Sequence, residues 1–353
     1  MNGVNGRLPR LLEWLSESAP DVACLQEIKT GDATFPAAAI ERAGYGAIWH
    51  GQRSHHGVAI LARGAKPVEL RRGLPGDEAD REARYLEGEV NGLTIASVYL
   101  PNGNPQPGPR FDYKLAWFER LIAHGERLLR ARRPTILAGD FNVVPTDRDI
   151  YNAWLWREDA VMQPETREAY GRLLAQGWID AARHLHPEEK IYTFWVNARA
   201  FARNAGFRMD FLLVSPDLGP GLRIAEVDFE HRGREKPSDH APVWIELASG
   251  PAVERYPSRR SGGIPMDDQG KVTRRGFLRG TATLAGAAAV GAIPIRVAHA
   301  QQKASQAAMK YQSTPKNGQE CDQCMHFQPP AACAVVDGKI SPKGWCLAYV
   351  KKQ

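Results

Sequence analysis

The sequence predicts an α+β sandwich followed by a small, irregular, cysteine-bearing domain, and three observations carry that prediction. Over residues 1–249 short β-type runs outnumber helical stretches and alternate with them irregularly, which favours an α+β sandwich over a doubly wound parallel sheet. Charge is divided unevenly. Residues 1–249 carry 31 Lys/Arg against 34 Asp/Glu, residues 250–300 carry 8 against 3, and residues 301–353 carry 7 against 3. Cysteine follows the same division: Cys24 stands alone in the large part, and the other four fall between 321 and 346. A chain of 353 residues, 43% hydrophobic and 24% charged, suits one large soluble domain and one small one. The net charge of +6 comes from the segments after residue 249, so it does not make the large domain a nucleic-acid binder.

The elements follow in order. Leu8, Leu11, Leu12 and Leu15 mark one face of a helix that Pro20 ends. Strand-like runs are read at Val22–Leu25, Val58–Leu61, Leu93–Tyr99, Thr135–Ala138, Phe211–Val214 and Val243–Leu247, with helices near Tyr113–Arg130 and Pro164–Gln176. Cys24, inside an apolar run, reads as a small core residue of a reduced protein.

Polar residues sit at the ends of these strands. Glu27 and Tyr99 close theirs, Asp140 and Asn142 follow Thr135–Ala138, Asp210 precedes Phe211–Val214, and Asp239 and His240 precede Val243–Leu247. If the first three strands run one way and the last two the other, these groups meet at one end of the sheets. Several carboxylates with an amide, an imidazole and a phenol suit a hard cation such as Mg²⁺ or Mn²⁺. Such a cation neutralises charge on a phosphodiester, while the histidine contacts phosphate or moves a proton. Arg199, Arg203 and Arg208, around Asn204, offer phosphate contacts on a loop.

In their contexts these residues resemble the exonuclease III branch of the endonuclease/exonuclease/phosphatase superfamily. The matching stretches are Leu25-Gln26-Glu27, Val98-Tyr99-Leu100-Pro101-Asn102-Gly103, Gly139-Asp140-Phe141-Asn142 with Pro145-Thr146-Asp147, Arg208-Met209-Asp210, and Lys236 to Val243 through Asp239-His240. The resemblance implies a four-layer αββα sandwich with a divalent-metal site at one end. It implies Glu27 as the principal metal ligand with Asp239 nearby, and Asp140, Asn142 and His240 around the ion. Asp140 would orient or deprotonate water, Asn142 and Tyr99 would contact phosphate, and Asp210 would orient His240. The implied substrate is duplex DNA with abasic sites or 3′ ends, engaged in part by Trp195, and the implied protein is a cytoplasmic monomer.

Two departures accompany the resemblance. Asn2 matches only the second of two family asparagines, so the strand that carries the first is expected to be missing and the gene to start upstream. Val196-Asn197 stands where an acidic-aromatic pair is commoner. Rival readings are an inactive nuclease half and a phosphodiesterase acting on a small substrate.

Residues 250–265, rich in Gly, Pro, Ser and Arg, read as a linker. Residues 266–300 read as an export signal of the twin-arginine type: Thr273-Arg274-Arg275-Gly276-Phe277-Leu278, an Ala/Gly-rich middle, and Ala298-His299-Ala300. That middle is too short and interrupted for a stable membrane span.

Residues 301–353 place Cys321, Cys324, Cys333 and Cys346 in a segment too small for a substantial core. Two disulfides, a zinc site and an iron–sulfur cluster compete at this point. With Tyr311, Phe327-Gln328-Pro329-Pro330, Ile340-Ser341-Pro342 and Gly344-Trp345-Cys346, the tail resembles the high-potential iron–sulfur proteins. The resemblance implies one [4Fe–4S] cluster on the four cysteines, a shell of Tyr311, Phe327 and Trp345, redox partner proteins, and a periplasmic site of action if the tail is made or processed separately.

Overall fold

The computed structural model describes residues 1–248 and, in the tail, 305–306, 309–316, 318–346, 349 and 351–352. The linker and the signal-like segment lie outside the described residues. The chain divides into two compact units, Met1–Ser258 and Arg259–Gln353.

The first unit opens with α1 (Leu8–Ser18), whose Leu11 and Leu15 are buried and whose end is turned by Ala19 in a left-handed conformation. The strand β1 (Val22–Gln26) follows, then α2 (Ala37–Arg42), β2 (Tyr45–His50), β3 (Val58–Arg63), β4 (Val68–Arg72), β5 (Tyr85–Val90) and β6 (Leu93–Tyr99). The long helix α3 (Pro109–Arg130) leads to β7 (Thr135–Asp140), α4 (Pro164–Ala175), β8 (Ile179–Asp180), α5 (Ala181–Leu185) and α6 (Ala198–Ala202), and the unit ends with β9 (Asp210–Val214), β10 (Leu222–Val227) and β11 (Val243–Leu247).

Six strands form one sheet in the order β4-β5-β6-β7-β9-β8, in which β6 and β7 are parallel and the other neighbours antiparallel. A second sheet has the order β1-β3-β2, and β10–β11 form a separate antiparallel pair. Side-chain alternation sorts the core into three slabs. Leu61 and Ala59 face Leu11, Leu15 and Ile40 of the first helices. Val58 and Ile60 from the same strand face Leu86, Ile95, Ile136 and Ala138 across the sheets. Leu137, Val98 and Phe211 face Trp117, Phe118, Leu121 and Leu173 of α3 and α4. The result is helix, sheet, sheet, helix: the expected four-layer αββα sandwich. Strands buried on both faces read as continuous apolar runs, which is why β3, β6 and β7 were visible in the sequence. On its far side from β3, β1 carries no strand among the described residues.

The second unit has little regular structure, as expected. Two-residue strands β12 (Phe327–Gln328) and β13 (Ala332–Cys333) pair antiparallel. They stand beside a small core of the four cysteines with Phe327, Val336 and Ile340. Among the described residues of the whole chain, no helix is long and apolar enough to cross a membrane.

Candidate active site

The strand directions bring the polar termini together. Tyr99 at the end of β6 is in register with Asp140 at the end of β7, and Asp140 is in register with Asp210 at the start of antiparallel β9. Gly139 permits this close approach, since a Cβ there would fall 1.9 Å from the carbonyl oxygen of Val98. The second sheet contributes Glu27, which leaves β1 with φ 54° and accepts the Tyr99 hydroxyl. Asn142 also has positive φ, 44°. Non-glycine residues in this region are uncommon and strained, and here two of them sit among the convergent groups.

His240 enters from the turn before β11. Its backbone bridges to Phe194, its Nδ1 lies 2.8 Å from Asp210 Oδ2, and its Nε2 lies 4.0 Å from Asp140 Oδ2. Burial opposes charge on this imidazole, but Asp210 and Asp140 outweigh it and raise the group to about 9. Burial pushes Asp140 the other way from an ordinary carboxylate, up to about 7, against the pull of His240 and with help from Asp210 and Glu27. Asp140 Oδ1 accepts the Asn142 backbone N–H at 2.8 Å. Tyr99 is held firmly as a phenol by burial and by the carboxylates of Glu27 and Asp140. Asp239 is half-buried, which opposes its charge, yet it is held below the usual carboxylate range, chiefly by the charge on His240, and Asn2 Nδ2 stands 3.4 Å from both its oxygens. Asn2 in turn accepts Lys29 Nζ at 2.7 Å.

All seven polar residues singled out in the sequence therefore meet at one place. As a metal set they divide. Among the described residues no three His, Cys, Asp or Glu side chains are placed to hold one ion by themselves. Asn142 is committed elsewhere: its Nδ2 donates to Leu100 O at 2.8 Å and its Oδ1 accepts from Asn102. His240 has Asp210 on Nδ1, which leaves Nε2 as the nitrogen that faces the site. Glu27 and Asp239 are linked through Lys29 and Asn2, and a Mg²⁺-type cation takes one or two such carboxylates and keeps several waters.

The expected DNA contacts divide. Arg199 and Arg203 are exposed on and just after α6. Arg208 is not available: it is 2% exposed and ion-paired to Asp149 at 2.6 Å and Asp180 at 2.7 Å. Trp195 is also corrected. At 1% exposure it packs edge-on against Phe201 and Phe229, and its Nε1 donates to Asn204. The aromatic ring beside the site is its neighbour Phe194, 4.9 Å from the His240 ring.

Three further residues were not singled out. Thr193 Oγ1 donates to Asp210 Oδ2 at 2.6 Å. The Arg84 guanidinium lies 5.0 Å from the centre of the Tyr99 ring. Lys114, fully buried on α3, donates to the carbonyls of Asn102 at 2.9 Å and Asn142 at 2.5 Å, and burial pushes it down to about 7. The sequence did hold a signal for Lys114: with Phe111, Trp117, Phe118 and Leu121 it falls on the apolar face of α3.

In the second unit Cys321, Cys324, Cys333 and Cys346 line one cavity with Phe327, Ile340 and Tyr349. Neither Cys321 nor Cys333 is joined to another sulfur, and all four cysteines are buried in one small core. Burial and the neighbouring thiols push Cys321 up to about 11, a mutual repulsion that bound iron relieves. The Val335 N–H points at Cys333 Sγ, 3.5 Å away. These features fit a multi-iron cluster. The expected shell is partly corrected. Phe327 lines the cavity and Tyr311 packs against this core, accepting the Ser341 N–H. Trp345 does not line it: its Nε1 donates to Gln319 and Lys316 covers its ring at 4.2 Å. Tyr349 takes that place.

Comparison with known proteins agrees with both units. Residues 1–240 match the model of the endonuclease/exonuclease/phosphatase family, and residues 293–353 match that of the high potential iron-sulfur protein. The chain is 34% identical to exodeoxyribonuclease III of Haemophilus influenzae over 70% of this chain and 97% of that protein. It is 33% identical to the DNA repair nuclease APEX1 of Danio rerio over 67% and 76%. Among solved structures, the 3′-5′ exonuclease of Neisseria meningitidis superposes with a TM-score of 0.68 at 36% identity, covering 70% of this chain and 96% of that one.

Proposed function

Since this chain belongs over its first 240 residues to the endonuclease/exonuclease/phosphatase family, we propose that its large unit hydrolyses DNA phosphodiesters at abasic sites or 3′ ends with a divalent cation. The observation that carries this reading is the row Tyr99–Asp140–Asp210 on adjacent strands, with Glu27 on one side and His240 on the other. Glu27 and Asp239 would hold Mg²⁺ or Mn²⁺, which would supply positive charge against the phosphodiester and acidify water.

The chain's own groups do the rest. Asp140, shifted towards neutrality and aligned by the Asn142 N–H, is suited to take a proton from water. His240, charged and fixed by Asp210, offers an N–H to a phosphate oxygen. Tyr99 remains a neutral donor beside Glu27. Arg199 and Arg203 supply backbone phosphate contacts, so binding weakens as salt rises.

The small unit supports a single-electron carrier with a [4Fe–4S] cluster on Cys321, Cys324, Cys333 and Cys346. In that reading redox partner proteins meet the tail, the nuclease unit works as a cytoplasmic monomer, and the tail works in the periplasm if it is made or processed separately. Immunoblots of both units in the native host decide the last point: one band means one product, two bands mean two.

The test of the nuclease reading uses the full chain and an end-labelled duplex with a single abasic site. Incision that stops with EDTA and returns with Mg²⁺ is expected. Hydrolysis of small phosphate esters without DNA incision would transfer the site to a small-substrate phosphodiesterase.

A further inference from the structure

Three large apolar side chains stand in water on one short loop: Tyr151 at 58%, Trp154 at 68% and Leu155 at 64% exposure. Single exposed apolar residues are ordinary, but a cluster of them marks a contact surface. This cluster is held out by a built frame. Ala153 and Trp156, between and beside the exposed residues, pack inward against a core that includes Val144, Ile150 and Phe207. Asn152 Oδ1 accepts the Leu155 N–H, and Arg157 donates to the Trp154 carbonyl at 2.8 Å.

Both ends of the loop are tied to segments that carry the active site. At its start, Tyr151 N–H donates to Gly206 O, and the Trp156 ring lies 4.7 Å from Phe207, whose backbone bridges to Phe194 and from there to His240. At its end, Asp159 and the Ala160 N–H bond to the side chain of Asn104. The Asn104 N–H bonds to Asn102, which donates to Asn142. The loop thus stands on the rim of the site, anchored on two sides.

From this placement we infer that Trp154, with Leu155 and Tyr151, forms a platform for an unstacked nucleobase next to the phosphodiester being cut. The Arg157 guanidinium covers the Trp154 ring at 4.5 Å, with Glu158 3.3 Å from its Nε, which fixes the indole. Stacking on an aromatic face needs no base identity, so the platform selects frayed or mismatched ends over fully paired ones, whatever their sequence. This inference rests on the nuclease reading.

The test measures kcat and KM of the full chain on two duplexes, one with a mismatched 3′ terminus and one fully paired. The unaltered chain is expected to show the lower KM on the mismatched end. Trp154→Ala should raise that KM about tenfold, the scale of one lost base–aromatic stack, with a smaller effect on kcat, and Trp154→Phe should restore most of the loss. Val68→Ala, an exposed apolar position on β4, serves as the control and should leave the preference in place. If the unaltered chain cuts neither duplex, the platform falls, and the abasic-site duplex decides the nuclease reading separately. If it cuts both and Trp154→Ala keeps the same KM values, the platform alone falls. A change in oligomeric state with unchanged KM also overturns it, and assigns the patch to self-association.

Discussion

His240 Nδ1 lies 2.8 Å from Asp210 Oδ2, and the same carboxylate oxygen accepts the hydroxyl of Thr193 at 2.6 Å. Thr193 Oγ1 also accepts the backbone N–H groups of Met209 and Asp210, so the carboxylate is fixed before it meets the imidazole. A histidine held this way has one tautomer available when neutral and a stabilised proton when charged. Its free nitrogen is aimed towards Asp140.

Removing that charge should cost turnover more than binding. Asp210→Asn is expected to lower kcat on abasic-site DNA by roughly a hundredfold or more, in line with loss of the group that orients a catalytic histidine, with KM changed only a few-fold. A kcat within twofold of the unaltered chain would remove Asp210 from this role.

Lys114 is predicted to act as a positioning residue. It ties the carbonyls of Asn102 and Asn142, and the two side chains bond to each other as well. Lys114→Met keeps the volume but removes both donors, so kcat should fall about tenfold, the scale of one to two kcal/mol for lost buried hydrogen bonds. Thermal stability should change little, because the buried ammonium is itself costly. Unchanged kcat with a lowered melting temperature would make the residue merely structural.

Asp149 should set part of the acid limit of stability. Burial opposes its charge, but the Arg208 guanidinium outweighs that and holds it below the usual carboxylate range. A depressed carboxyl contributes stability that is complete above the unfolded value near 3.9 and is lost as pH falls through the lower folded value. Denaturant unfolding across pH 2–7 should therefore show a steep loss below about pH 4. Asp149→Asn should flatten that loss and cost roughly 3 kcal/mol at neutral pH, as expected for a broken buried pair. An unchanged acid limb would contradict the assignment.

In the tail, Cys333→Ser should abolish the visible absorption and paramagnetic signals of the cluster. Tyr349→Ala should shift the reduction potential more than Trp345→Ala, since Tyr349 lines the cavity and Trp345 does not. Water access is one of the levers on potential. The reverse order of shifts would restore Trp345 to the shell.

Much of this molecule could be read from residue pattern because burial on two faces leaves a run such as Ile136–Ala138 wholly apolar. Strands that break the pattern were missed for identifiable reasons. In β4, Val68–Arg72 is exposed throughout, so it carries no alternation. In β5 the buried Glu87 looks like a surface residue until Tyr85 and His124 are seen to satisfy it. The site residues were legible because each stands at a strand end beside apolar sequence. Their partners were less so: Thr193 reaches the site through space, which no local spacing records, and Lys114 is marked only as a lysine on the apolar face of α3. Sequence likewise could not tell which of Phe194 and Trp195 turns inward; alternation places Trp195 in the core and Phe194 beside His240.

Asp140, in register with Tyr99 and Asp210, is the group proposed to handle the proton in DNA phosphodiester hydrolysis. The most direct test of this role is the single-turnover incision rate of an abasic-site duplex by the full chain with Mg²⁺, compared with Asp140→Asn and Glu27→Ala. Metal-dependent incision is expected, falling at least a hundredfold in Asp140→Asn, the scale of a lost general base, and falling steeply in Glu27→Ala with partial recovery at high Mg²⁺. Incision at the same rate in Asp140→Asn would contradict it.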